Sequence, residues 1–416
     1  MSFADKLQLI AENEQKVYNA GYEKGKSEGG GEDVAAAIIN GTISGEYTNA
    51  MVNSVSDYKF RYCTNLTSVS FPKCTNIGFE AFGSCTSLTT ANFPSCTNIG
   101  AGAFFYCIRL ASISFPACAS IGASAFQSAY ELENVNFSVC THIGEGAFLR
   151  CNKLSSISFP VCTSINDRAF ESCSCLISAN FPSCTTISAS AFYYFSNLIS
   201  ADFPVCTSIG RYAFARCYRL ASINFPACTT ISSSAFSGCT SLAAASFPSC
   251  TTIGNCAFVN CSRLMSISFP VCEAIGNAAF SYCTILTNAD FPACTSIGMS
   301  AFDRCTLLAS VSLPVCVSIG NSAFYYCMSL TSISLPACTS IGSWAFQYCS
   351  NLTTLVLLQP GVTLANVSVF STTPMSSTQY TGTWGSIYVP ASLVDAYKSA
   401  TNWATYADRI TALEEE

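Results

Sequence analysis

The sequence predicts a β-rich, right-handed solenoid of about 14 coils of 22 residues, with a short N-terminal helix before it and an α/β cap after it. Three observations carry this expectation. Phenylalanine recurs every 22 residues from Phe82 to Phe346, thirteen times without a slip and always after an alanine. An isoleucine follows the same period from Ile77 to Ile341, and a leucine recurs fourteen times from Leu66 to Leu352. The chain is 50% hydrophobic and only 10% charged, which suits coils that bury their faces against one another. A fixed period of about 20 to 50 residues marks a stacked array, whereas a length of 416 would otherwise imply two or three globular domains.

Within one unit, "LTSVSFPKC" from Leu66 fits the leucine-rich-repeat strand template, with Val69 and Phe71 in the later apolar slots. Alternation turns the apolar residues inward and Thr and Ser outward. Pro72 and its equivalents, replaced only by Ser138, remove a backbone donor where the strand must stop pairing. Ile77 and Gly78 open the return leg. Glycine fills that slot in ten of thirteen copies, with Asn166, Ser188 and Ser232 as exceptions, and the expectation is a turn needing positive φ. The Ala81-Phe82 pair then supplies one small and one large core filler. Fourteen coils at about 4.8 Å each span roughly 65 Å.

The 27 cysteines are as regular as the phenylalanines. Thirteen lie on a ladder from Cys74 to Cys338 and twelve on a second from Cys63 to Cys349, which is broken at Ala129 and Phe195. The total is odd, and parallel side chains about 4.8 Å apart are too distant for the usual disulfide Cβ separation near 3.8 Å. Predominantly free, buried thiols acting as small apolar fillers are expected, with no metal or redox role. The one close pair, Cys173 and Cys175, is expected to aim its thiols in different directions.

The full unit, C-x-x-L-x-x-I-x-F-P-x-C-x-x-I-G-x-x-A-F-x-x-C, resembles the BspA-type (Treponema pallidum-type) leucine-rich repeat through its I-G-x-x-A-F-x-x-C-x-x-L core, over residues 60–358. The Cys74 series stands where that family usually carries valine, an exchange of one small apolar filler for another. The resemblance implies a bacterial surface or virulence-associated binding protein and no catalysis. It implies a mode of binding and no particular ligand.

The ends depart from the period. Residues 1–32 read as a charged helix with a narrow apolar stripe (Leu7, Ile10, Val17, Tyr18), closed by a flexible Gly29–Gly31 linker. It is either a solvated helix or an attachment and oligomerisation helix, residues 1–28. Residues 33–59 are expected to cap the solenoid, with "DVAAAII" as a helix and 51–59 as a decayed repeat. Residues 60–358 are the repeats. Residues 359–416, containing "IYVPASLVDAYKSATNWATYADRI", should form a strand, a proline turn and one or two amphipathic helices over the last coil. No apolar run reaches a membrane span, and the N-terminus lacks the apolar core of a secretory signal.

Candidate chemistry is sparse. The single histidine, His142, occupies a variable surface slot, so neither a nucleophile relay nor a metal cluster is expected. Asp202 and Asp290 share an outward slot four coils apart, roughly 19 Å, too far for a glycosidase pair. No phosphate loop is present; the net charge of −6 comes from the ends, the repeats holding 11 basic and 10 acidic residues for +1, and nucleic acid is not an expected partner. No catalytic residue, metal ligand or cofactor is assigned.

Variation concentrates beside the second cysteine ladder. Tyr106, Arg109, Tyr193, Tyr194, Arg216, Tyr218, Arg219, Tyr282, Arg304, Tyr325 and Tyr326 fall there, and stacking gathers them into one stripe. Its richest part is expected at Tyr193 to Arg219. Tyrosine and arginine are enriched at recognition hot spots, and aromatic faces suit sugar rings. The same residues would also shield core edges, and both readings stand at this stage. The implied function is a non-enzymatic, adhesin-like scaffold at the cell surface or outside the cell, binding a protein or glycan. A phage or prophage tail-associated (virion) attachment protein is the alternative, and a glycan hydrolase the less favoured one.

Overall fold

The computed structural model describes residues 45–376 and 384–414. Each coil contributes a longer outer strand, such as Leu66–Ser70 or Ser200–Asp202, and a two-residue strand, such as Asn76–Ile77 or Ser208–Ile209. Every pairing is parallel, and within the repeats each is in 22-residue register, for instance Ala201 with Ile223 and Ile209 with Ile231. A parallel β-solenoid of leucine-rich-repeat type results, as the spacing predicts.

The two-residue strands form one unbroken 15-stranded sheet, one coil more than the fourteen leucines count. The difference arises at the ends. Ser54–Val55 enters the sheet from the decayed repeat, and Thr363–Leu364 enters it after a spacing one residue longer than the period. The longer strands are interrupted after Ser112–Ser114, Ser156–Ser158, Ala244–Ser246 and Ser310–Ser312. At each interruption the central inward residue, Ile113, Ile157, Ala245 or Val311, is only half-buried, whereas its counterparts elsewhere are buried.

Two phenylalanine columns fill the core. Rings 22 residues apart stack nearly parallel, as in Phe82 and Phe104 at 5.1 Å and 4°. The columns meet edge to face, as in Phe82 and Phe93 at 5.7 Å and 67°. Offset and edge-on pairs each add about 0.5–1.5 kcal/mol beyond the area they bury. The 22-residue period sets like side chains one above another, rings in both columns until Leu313 and Leu335 continue the second.

The turn glycines follow a different logic from the expected one. Gly78 and its equivalents do not adopt positive φ; the left-handed residue of that turn lies two positions on, at Glu80 (φ 45°) or Ser124 (φ 53°). A Cβ on Gly122 would sit 2.5 Å from the Ala101 amide nitrogen, and one on Gly210 2.5 Å from the Ser188 carbonyl carbon. Glycine is favoured there because adjacent coils bring their backbones together.

Residues 1–44 lie outside the described residues, including the expected helix at 1–28, its linker and the "DVAAAII" helix. The first described strand, Gly45–Thr48, pairs with Leu66–Ser70. At the other end Ser386–Val389 and Ile410–Ala412 extend the outer sheet, flanking the helix Val394–Ser399. The last coil has no following coil to take its carbonyls, and side chains of this segment replace it. Tyr397 Oη donates to Gln359 O at 2.6 Å, Trp403 Nε1 to Val362 O at 2.6 Å and Asn402 Nδ2 to Leu364 O at 2.8 Å. Tyr406 Oη donates to Val367 O, and its ring packs edge-on against Phe370 at 5.2 Å. Removing only that hydroxyl, in Tyr406→Phe, takes the donor from the Val367 carbonyl and should cost about 0.5–1.5 kcal/mol. Hydrogen exchange confined to residues 359–376 and 384–414 checks this, and protection equal to that of the parent chain would refute it.

Candidate recognition surface

The stripe has a backbone cause that the sequence conceals. The residue immediately before each second-ladder position is left-handed: Tyr106, Tyr194, Arg216, Tyr282, Arg304 and Tyr326 all have φ between 57° and 64°. The residue after it turns into the core, as Cys107, Cys217 or Phe195, which sends the preceding side chain outward. A non-glycine residue in this region costs about 1–2 kcal/mol. Glycine would relieve that cost, yet it fills this slot only at Gly238. Six tyrosines and three arginines share this strained column with Ser84, Ser128, Ser172 and Asn260, and backbone strain of this kind clusters at ligand-binding sites.

The structure draws the sequence-predicted residues into two clusters. In the first, the Tyr194 ring meets Tyr193 at 6.2 Å and Tyr218 edge-on at 6.0 Å. The Arg216 guanidinium lies 5.8 Å from the Tyr193 ring centre, and Arg219 Nη1 donates to Asn197 Oδ1 at 3.2 Å. In the second, Arg304 is held between Tyr282 and Tyr326, 5.4 and 5.0 Å from their centres. Tyr326 stacks on Tyr348 at 4.3 Å, and Tyr325 meets both rings edge-on or nearly so, at 4.9 and 5.5 Å. Burial raises the Asp303 carboxyl above its usual range, partly opposed by Arg304. Tyr106 meets Tyr130 at 6.4 Å, and Arg109 is exposed on the same coil. The second cluster is the more closely packed, although the sequence placed the richest segment at the first.

All 27 cysteines are free. Cys175 is exposed, Cys256 is half-buried and the ladder thiols are buried. They are more than filler. Second-ladder thiols donate to the preceding coil, Cys107 Sγ to Phe82 O at 3.1 Å and Cys217 Sγ to Phe192 O at 3.3 Å. First-ladder thiols donate two residues ahead, as Cys96 Sγ does to Asn98 O at 3.2 Å. Ala129 and Phe195 are tolerated because the carbonyls they fail to reach, Phe104 O and Phe170 O, already accept the amides of Cys107 and Cys173. Burial pushes the Cys96 and Cys283 thiols up to about 12, so no reactive thiolate is presented by either.

Among the described residues no three His, Cys, Asp or Glu side chains converge as a metal site, and no helix is long and apolar enough to cross a membrane. On the strand face an open groove of about 810 Å³ spans Ala111–Pro116, Glu133–Asn136 and Ser156–Ser158, at the first sheet interruption. The sequence reading passed over it. Its one local signal is Ser138, the single repeat that lacks proline.

Comparisons follow from this geometry. The profile described as "BspA type Leucine rich repeat region (6 copies)" matches residues 53–177, 185–308 and 273–391. No curated protein matches the chain. Among solved structures, a leucine-rich repeat protein from Bacteroides ovatus is 23% identical, with 89% of this chain and 92% of that chain covered and a TM-score of 0.63, a likeness of fold. A leucine rich cell surface protein from Faecalibacterium prausnitzii is 24% identical, covering 76% of this chain and 88% of that one at a TM-score of 0.41. A T. pallidum leucine rich repeat protein is 29% identical, covering 42% and 77% at a TM-score of 0.33.

Proposed function

The chain belongs to the BspA-type leucine-rich-repeat family, and from that premise we propose that it is a non-enzymatic recognition scaffold, displayed at a bacterial cell surface, that binds a protein or glycan through its tyrosine and arginine column. One observation carries the reading. A slot whose backbone favours glycine is filled instead by exposed or half-exposed Tyr106, Tyr194, Arg216, Tyr282, Arg304 and Tyr326. Their neighbours are also rings and guanidinium groups, the combination most frequent at interface hot spots.

A screen of the purified chain against immobilised host glycans and extracellular-matrix proteins tests it. The expected result is saturable binding of at least one ligand, recovered intact. Conversion of a glycan or peptide into products, abolished by a single carboxylate substitution, would overturn the non-enzymatic part.

A further inference from the structure

Resting on that reading, we propose that the column's partner is a protein carrying acidic side chains beside aliphatic ones, and that it docks on the coils between residues 175 and 265. Two independent features coincide there. The first is charge. Residues 176–272 hold four arginines, Arg211, Arg216, Arg219 and Arg263, and one carboxylate, Asp202, in a chain whose net charge is −6. Among the described residues the salt bridges join Arg61 to Glu80, Lys153 to Glu131, Arg168 to Glu171 and Arg304 to Asp303, and none involves these four arginines.

The second feature is an apolar rail that the 22-residue pattern hides. One outward slot carries Thr67, Thr89, Ala111, Glu133 and Ser155 before the middle coils and Thr287, Ala309, Thr331 and Thr353 after them. In the middle it becomes Ile177, Ile199, Ala221, Ala243 and Met265 on five successive coils. Ile177 and Met265 are each 53% exposed and Ile199 41%. Main-chain bonds tie the first four rungs together, from Ile199 N to Ile177 O at 2.8 Å, Ala221 N to Ile199 O at 3.0 Å and Ala243 N to Ala221 O at 2.9 Å. The rail and the arginines adjoin. Arg219 and Ala221 flank the buried Leu220, and Arg263 and Met265 flank the buried Leu264, so charge and apolar surface face outward together. Aliphatic side chains give a hydrophilic polymer nothing to desolvate. Met, Arg and Tyr beside apolar surface are the composition of a protein interface core. Arg211, Arg216 and Arg219 contact Asn197 or a tyrosine ring and no carboxylate, which favours an acidic protein as the partner.

Selection of a displayed random-peptide library on the intact chain tests this. The selected peptides should combine Asp or Glu with Leu, Ile or Phe. Their affinity should fall at least tenfold in Ile177→Ser with Ile199→Ser, and at least tenfold in Arg216→Ser with Arg219→Ser, the loss in the arginine variant mimicked by high salt. Both pairs are solvent-facing, and circular dichroism matching the parent confirms that each variant is folded. Peptides that are neutral or basic, or acidic peptides indifferent to either pair, overturn the proposal. Polygalacturonate binding that needs the arginines and ignores the isoleucines would also overturn it, by assigning the site to an acidic glycan. Either failure leaves the wider screen free to return a ligand that depends on Tyr326 and Arg304, so the two readings fail separately.

Discussion

Raising the pH from about 9 to 11 should unfold the chain cooperatively, by an amount few proteins of ordinary composition would show. Twenty-three ladder thiols have folded-state pKa values raised, in each case chiefly by burial. Cys162 and Cys206 reach about 11, and Cys96 and Cys283 about 12. An unfolded thiol ionises near pH 8.5. Folding therefore holds protons that the unfolded chain releases. That stability is fully present below about pH 8.5 and is lost as the pH rises toward the folded values. For a thiol held protonated at pH 10, such as Cys96 or Cys283, the loss is about 2 kcal/mol, so a handful of such thiols matches a typical stability of about 5–15 kcal/mol. Far-UV circular dichroism against pH, under reductant, measures it. Replacing Cys206, Cys228 and Cys250 with valine should move the midpoint to higher pH. A native signal persisting at pH 11, or a midpoint indifferent to the valines, would show that the thiols are not buried as described.

Phe214→Ala should cost about 3–5 kcal/mol and break the array in its middle. Phe214 is fully buried and stacked between Phe192 at 5.0 Å and Phe236 at 5.4 Å. It also meets Phe203 and Phe225 edge-on, each at 5.9 Å. Each coil is stabilised mainly by its immediate neighbours, so a defect at one interface uncouples the coils on either side. The denaturant transition should move to lower concentration and separate into two steps. A single transition at the parent midpoint would mean that ring stacking contributes little here.

Most of the fold could be read because stacking in register forces identical side chains onto every coil. Where a residue has only one neighbour the rule lapses. Ser54–Val55 keeps only a decayed form of the period, and Thr363–Leu364 and the segment bearing Tyr397, Trp403 and Tyr406 depart from it, since the last of these covers an end instead of matching another coil. The glycines were read for the wrong cause. Close approach of Gly210 to the Ser188 backbone is a relation between coils, which one repeat alone does not display. Conversely, the left-handed slot is filled by Tyr, Arg and Ser, so nothing in its composition announced positive φ. The thiol donors escaped notice because a buried cysteine looks like alanine or valine until its acceptor carbonyl is located.

The candidate stripe was visible as residues and invisible as geometry. That Arg304 sits between Tyr282 and Tyr326 depends on the 22-residue offset combined with the outward turn of the left-handed slot. The apolar rail went unread for a related reason. Ile177 and Ile199 look like core residues of a strand until Leu176 and Leu198 are seen to hold the buried positions beside them.

The central claim, that recognition runs along the tyrosine and arginine column and not along the strand face, is tested most directly by titrating one ligand from the glycan and matrix-protein screen against two folded double variants. Tyr194→Ala with Arg216→Ala should weaken binding by at least tenfold, since truncating one hot-spot residue costs about 2 kcal/mol. Ser200→Ala with Asp202→Ala, on the outer strand, should leave the affinity unchanged. Unchanged affinity in the first variant together with a tenfold loss in the second would contradict the account and move the site to the strand face.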